Sequence, residues 1–371
     1  MFHALYAWLY TAEGPFSFLR LFHYLSSRAI FAVITTFFLT IVMGRPFIRY
    51  LYRIGMRDAA PRSFLAETSQ NSKAGTPTMG GLLIIFATLL DVLLWCDLTN
   101  RYVLLLLFSS VWFSGLGIVD DYLKIRHRDS DKGLSRGKKY LFQIAFGLLF
   151  GALFLHPHTS PLPRDVVTKL YVPFYKYDVL DLSWAYMVFI VLMIVYAANA
   201  INFADGIDGL AIVPSSYVIV VYGAFAYVLG NIRYSQYLMF TYLPGSGEIV
   251  IFCAALLGAC VGFLWYNSYP AEVFMGDTGS LFLGGVIGTM TILLKQELLF
   301  FLVGGIFLAE ILSVILQDWI GIQKIGRRFI YRAPIHHCFQ YQGLAETKIA
   351  VRFWIVGGIL ALIGLASLKV R

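Results

Sequence analysis

Charge is scarce in this sequence. Lys, Arg, Asp and Glu make up 13% of its 371 residues, against about a quarter in a soluble domain, so a water-soluble globule is excluded. Cysteine is scarce too. Cys96, Cys253, Cys260 and Cys338 form no CxxC pair, which leaves no disulfide framework. The seven-residue spacing of Cys253 and Cys260 then reads as packing on one helix face. The N-terminus has no basic stretch leading to a small-residue cleavage motif, so a removed signal peptide is not expected. The net charge of +8 comes without an aromatic-basic binding motif, and nucleic acid is not expected as a partner.

What the chain has in abundance is apolar length. Apolar residues make up 59% of the sequence and aromatics 16%. Apolar runs recur throughout, and about 20 such residues cross a bilayer. Ten spans are expected, near 29–46, 78–97, 102–119, 139–156, 183–203, 210–230, 248–266, 279–294, 298–316 and 351–369. Residues 1–28 read as an interfacial segment ahead of them. The pairs Gly147 with Gly151 and Gly284 with Gly288 point to close helix packing. The proline-bearing stretch 157–182 reads as an irregular or hairpin excursion. No composition shift divides residues 1–371, so the expectation is one all-α integral membrane domain.

Orientation follows from the basic residues. Of the 29 Lys and Arg, six lie in 45–77, seven in 120–139 and five in 317–350. The loops after odd-numbered spans should therefore face the cytoplasm, with both termini outside.

The polar clusters fall in those same loops. In GIVDDYLK, Asp120 and Asp121 end a span, where the negative helix terminus and each other's charge oppose them. Lys124, one turn on, is one compensating cation and a metal ion is another. In NAINFADGIDGL, Asn202, Asp205 and Asp208 recur every three residues, as on one side of a helical turn. Asp205 or Asp208 would alternatively cap the next helix. In FLWYNSYPAEVFMGDTGS, Asn267 closes a span, Phe274 offers a stacking surface, and Asp277 sits between glycines. Asp205, Asp208, Glu272 and Asp277 have no basic residue in their own loops. Such carboxylates at a membrane boundary point to function, and all-oxygen donors favour Mg²⁺ or Mn²⁺. Lys73 and Thr78 in SKAGTPTMGG, with Lys139 in KGLSRGKKY, suit phosphate oxygens. Carboxylates, a metal and basic loops together describe phosphoryl transfer. In RRFIYRAPIHHCFQ, adjacent side chains such as His336, His337 and Cys338 rarely bind one tetrahedral ion, so phosphate contact or proton transfer fits better.

These stretches resemble the polyprenyl-phosphate N-acetylhexosamine-1-phosphate transferase superfamily over nearly the whole chain. GIVDDY, DGIDGL and MGDTGS carry the wider resemblance, whereas TPTMGG, SYPAEVFMGD and APIHH resemble its muramoyl-pentapeptide branch. The resemblance implies a ten-helix bundle, often a homodimer, in the bacterial cytoplasmic (inner) membrane with its active site facing the cytoplasm. It implies transfer of phospho-MurNAc-pentapeptide from UDP-MurNAc-pentapeptide to undecaprenyl phosphate, giving lipid I and UMP, with Mg²⁺. By matching motif, Asp120, Asp121 and Asp277 are the catalytic acids, joined by His336, and Asp277 with Asp120 holds the metal. Lys73, Thr78, Lys139, Asn202, Asp205, Asp208, Asn267, Phe274, Gln317 and His337 would contact substrate. Two departures stand in the histidine loop, Cys338 for a third His and Gln340 for a Glu. His336 and His337 are expected to carry the role there. A sister transferase acting on UDP-GlcNAc, and a ten-span transporter, are the competing readings. A transporter places its charges near the bilayer midplane, often within inverted repeats, and this chain shows no repeated half.

Overall fold

The computed structural model describes residues 1, 17–56, 75–127, 132–176 and 178–370. Most of the expected interfacial segment, and Lys73, lie outside these residues. The helices are α1 (Leu25–Arg53), α2 (Gly81–Trp95), α3 (Arg101–His127), α4 (Arg136–Leu155), α5 (Tyr186–Ala204) and α6 (Ile212–Leu229). After them come α7 (Ile232–Tyr237), α8 (Glu248–Asn267), α9 (Gly276–Leu293), α10 (Glu297–Val303), α11 (Gly305–Ile315), α12 (Ile335–Tyr341) and α13 (Glu346–Ala366). The excursion after α4 is a hairpin of β1 (Lys169–Tyr171) and β2 (Asp178–Asp181), paired antiparallel.

Among the described residues, eight helices are long and apolar enough to cross a membrane. The chain is a multi-pass membrane protein. All ten expected spans coincide with helix. Two differ from the eight: α2 is 15 residues long, and α9 opens on a polar first turn, GDTGS. The ninth span is broken. It runs as α10, turns at Gly304, resumes as α11 and unwinds into a π-helical stretch over Leu316–Ile325. A Cβ at Gly305 would stand 2.8 Å from Leu360, so the break sits where α11 comes up against α13.

Helix α9 is the axis of the bundle. Every residue from Thr278 to Leu293 is buried, as expected of a helix apolar on all sides, and it packs against α3 and α5. Small residues allow this. A Cβ at Gly284 would fall 2.6 Å from the Ala198 backbone, and one at Gly117 would fall 2.5 Å from that of Thr278. Gly147 and Gly151 likewise press against Val191 and Met187 of α5. All four cysteines are free and buried, as packing residues should be.

The two ends of the bundle differ. At the end holding the N-terminus of α1, Arg28 makes a two-pronged bond to Glu248 at 2.6 and 3.0 Å. There too, Lys295 pairs with Glu297 at 3.1 Å and donates to the Val167 carbonyl at 3.1 Å. The opposite end carries the VDD, DGIDG and MGD stretches.

Candidate active site

Asp120 and Asp121 lie near the C-terminal end of α3. Consecutive helical residues point about 100° apart, and the two carboxylates separate accordingly. Asp120 Oδ1 accepts from the Leu134 backbone N–H at 2.7 Å. Its Oδ2 lies 2.7 Å from Lys124 Nζ and 2.8 Å from Lys139 Nζ. Asp121 turns to the start of α9 instead. It accepts from the backbone N–H groups of Asp277 (3.2 Å) and Thr278 (2.8 Å), and from the Thr278 hydroxyl (2.7 Å). Its carboxylate satisfies donors that the first turn of a helix leaves unpaired, and it does so from another helix.

Asp277, in that first turn, faces the lysines. Its Oδ2 lies 2.6 Å from Lys139 Nζ and 2.9 Å from Lys124 Nζ, while its Oδ1 accepts from Asn202 Nδ2 at 3.0 Å. Asn202 also donates to Ser280 Oγ at 2.8 Å. A side chain at position 276 would be driven into Asp121 Oδ2 at 2.6 Å and Thr78 Oγ1 at 3.0 Å. Gly276 adopts φ 72° there, the left-handed region glycine tolerates.

Asp120, Asp121 and Asp277 each offer an oxygen, and these atoms lie within 4.8 Å of one another. Three carboxylates face the two ammonium groups of Lys124 and Lys139, which leaves a net negative charge. Hard oxygen donors with that surplus fit a divalent cation such as Mg²⁺. Asp121 is committed to the α9 terminus, so Asp120 and Asp277 are the carboxylates best placed to hold the ion.

The DGIDG segment is not a helical turn. Helix α5 ends at Ala204, Asp205 is its C-cap and tight turns follow, so Asn202, Asp205 and Asp208 do not share one helix face. Asp205 and Asp208 do not cap α6, whose N-cap is Ala211. Asp208 accepts from the Ala271 N–H at 3.2 Å. Withdrawal from water, reinforced by the Asp277, Asp121 and Asp208 carboxylates, holds the Asp205 carboxyl well above the usual carboxylate range. Asn267, buried at the end of α8, accepts from the Gly209 N–H at 3.1 Å and donates to the Val273 carbonyl at 2.9 Å. It ties two site loops together. Half-buried Phe274 is fixed by its backbone, which pairs with Pro77 and Gly80 at 2.8 Å each. Thr78 lies on the same strand of chain, its N–H donating to the Met56 carbonyl at 3.1 Å.

The histidine loop sits to one side. His336 is buried with Nδ1 3.1 Å from Glu310 Oε2. Its Nε2 is pressed against Gly206, where a Cβ would come within 2.2 Å. His336 therefore lies under the DGIDG turn and is held there by Glu310. His337 pairs through Nδ1 with Gln340 Oε1 at 2.7 Å, and Gln340 donates to Glu346 at 3.0 Å. Gln340 thus forms a bridge that an acidic residue there would have to make differently. Cys338 is buried. Gln317 is buried as well, its Oε1 accepting from the Phe329 and Ile330 N–H groups at 3.0 and 2.9 Å.

Three contributors were missed in the sequence. Thr278 and Ser280 left no separate signal inside MGDTGS. Glu310 did, as the one charged residue in the apolar run 298–316.

A polytopic membrane bundle thus gathers carboxylates and lysines at one end, and comparison with known proteins makes it a transferase and gives the family. The model for glycosyl transferase family 4 matches residues 103–295. Signature 1 of the phospho-N-acetylmuramoyl-pentapeptide-transferases matches residues 73–85. The phospho-N-acetylmuramoyl-pentapeptide-transferase of Nitratidesulfovibrio vulgaris (strain DP4) is 45% identical over 371 residues, covering 99% of this chain and 100% of that protein. The transferase of the same name from Desulfovibrio desulfuricans is 43% identical, covering 99% of each. The chain belongs to the phospho-N-acetylmuramoyl-pentapeptide-transferases of glycosyl transferase family 4.

Proposed function

We propose that the chain transfers phospho-MurNAc-pentapeptide from its UDP carrier to undecaprenyl phosphate, forming lipid I and UMP, with Mg²⁺ held by Asp277 and Asp120. The basic-residue bias supports placing the reaction at the cytoplasmic face of the bacterial inner membrane. The observation that carries this reading is the meeting of Asp120, Asp121 and Asp277 from two separate helices, in a chain whose full-length relatives bear that activity's name.

The ion, when bound, neutralises charge developing on diphosphate oxygens. The chain's own groups do the rest. Lys124 and Lys139, already shared between Asp120 and Asp277, supply mobile positive charge for the incoming phosphates. Asn202 fixes the Asp277 carboxylate from the far side. Asp121 fixes the end of α9 that carries it. Thr78, Asn267, Phe274, Asp205 and Asp208, from the neighbouring loops, would grip the uridine nucleotide. A phosphate monoester has a second pKa of about 6, so the lipid phosphate is largely dianionic at neutral pH. Asp120 then needs only to orient it for direct attack on the sugar-bearing phosphorus.

The test is to incubate purified protein with UDP-MurNAc-pentapeptide and a polyprenyl phosphate, with and without Mg²⁺, and follow UMP. Release of UMP only when all three are present is expected. Equal release from UDP-GlcNAc, or none from the muramoyl donor, would overturn the reading.

A further inference from the structure

The DGIDG turn rests on a small apolar core of its own. Ile207 and, just after the turn, Leu210 pack there with Ile306 of α11 and with Ile349 and Phe353 of α13. Trp354, packed against the same core, donates from Nε1 to the Gly209 carbonyl at 3.1 Å. Glu310 follows Ile306 by four residues on α11, the spacing that puts two side chains on one helix face. It is the one charged residue in the apolar run 298–316, and a carboxylate so placed is costly and points to a function. Glu310 and His336 are both buried, with Glu310 Oε2 3.1 Å from His336 Nδ1. A carboxylate only accepts, so Nδ1 carries the hydrogen. The ring's other nitrogen is thereby turned to the DGIDG backbone, where a Cβ at Gly206 would meet Nε2 at 2.2 Å. Glycine is needed there for room.

We propose that Glu310 is a positioning residue for donor binding: by fixing the His336 ring it sets the DGIDG turn, and with it Asp205 and Asp208, for the nucleotide. This rests on the activity proposed above, in which those two acids grip the donor. Glu310 acts through the ring. Its carboxylate touches Nδ1, the far edge of the imidazole touches Gly206, and Gly206 is joined to Asp205. Without that acceptor the ring would keep a buried N–H unpaired, a state it leaves by turning. Turning moves the edge on which Gly206 rests. The acidic centre has supports of its own in Lys124, Lys139 and Asn202, so the effect falls on the donor's grip and spares the groups around the metal site.

The experiment titrates full-length protein in detergent with UDP-MurNAc-pentapeptide by calorimetry, without lipid acceptor, and follows UMP release in parallel with polyprenyl phosphate present. Glu310→Leu should weaken donor binding roughly tenfold and leave the KM for polyprenyl phosphate unchanged. Glu310→Gln keeps an oxygen that accepts from Nδ1–H and should restore donor binding to within about threefold of wild type. His336→Leu should weaken binding as Glu310→Leu does, and the double variant should bind no worse than His336→Leu alone, because Glu310 acts through the ring. Unchanged donor binding in Glu310→Leu would overturn the proposal. So would a Gln variant as weak as the Leu variant, or losses that multiply in the double variant. Where the Leu variants do not fold, Glu310→Asp decides: its carboxylate, one methylene further from the ring, should weaken donor binding severalfold, and wild-type binding there sinks the proposal. Wild-type protein that binds the donor and releases UMP keeps the proposed function standing whatever the Glu310 variants do. Wild-type protein that does neither removes that function, and the role of Glu310 with it.

Discussion

Asp277 carries more contacts than its neighbours in the MGD stretch, bonded at once to Lys124, Lys139 and Asn202. Asp277→Asn keeps the shape and the Asn202 contact while removing the charge. UMP release should fall by about two to three orders of magnitude, with an unchanged melting profile. Full activity in detergent would reject Asp277 as metal ligand. Asp205 supports a prediction of a different kind. Its carboxyl is held above the usual range by burial and like charge. A raised acid stabilises the fold while protonated and withdraws that stability as pH rises past its folded pKa. Asp205→Asn should therefore raise Tm more at about pH 8 than at about pH 5. Equal gains at both pH values would contradict this. The sequence showed these acids clearly, because carboxylates without nearby bases stand out in an apolar chain. It did not show their partners, since Lys139 and Asp277 are far apart in sequence and only the fold brings them together.

At the scale of elements, the central device is α3 capping α9. Asp121 accepts three bonds at the α9 terminus, and Gly117, one turn earlier, lets the two helices touch. Read as sequence, Asp-Asp looks like a single acidic unit. The helix divides it into one carboxylate that faces Lys124 and Lys139 and one that caps α9, a distinction that depends on where α9 begins. Loss of an N-cap costs about 0.5–2 kcal/mol. Asp121→Ala should accordingly lower Tm and activity together, whereas Asp120→Ala should lower activity with a smaller thermal effect. Thermal unfolding of the two variants side by side decides it, and a larger loss of Tm in the Asp120 variant would count against this division. Other elements were legible for plain reasons. Apolar length gave helix at the ten expected positions, eight of them long and apolar enough to cross a membrane; prolines gave the excursion that became a hairpin, and small-residue spacing gave the α5 contacts. The break in the ninth span was not legible, because Gly304 and Gly305 acquire meaning only from their packing against Phe300 and Leu360.

Across the whole molecule, polar chemistry is split between two ends, and the ends have different tasks. One end holds the buried Asp120 and Asp121 beside Asp277, Lys124 and Lys139, whose side chains stay partly open to solvent. The other holds charges locked in pairs, with Arg28 4% exposed and Glu248 9%. Glu248 also accepts from the Asp97 N–H at 2.8 Å, and Arg28 donates to the Trp95 carbonyl at 3.2 Å. That set fastens α1, the end of α2 and the start of α8 far from the reacting groups. Breaking a buried ion pair by removing one partner costs about 3–5 kcal/mol, whereas replacing both with apolar residues of similar size is often neutral. Glu248→Leu alone should thus lower Tm strongly, and Arg28→Met with Glu248→Leu should recover much of it. Donor KM should stay unchanged in both, because these groups fasten helices and touch no substrate. A double variant as unstable as the single one would mean that the pair's bonds to Trp95 and Asp97, rather than its charge balance, secure that end. A shifted donor KM would mean that the two ends are mechanically coupled through α9, the helix that runs between them.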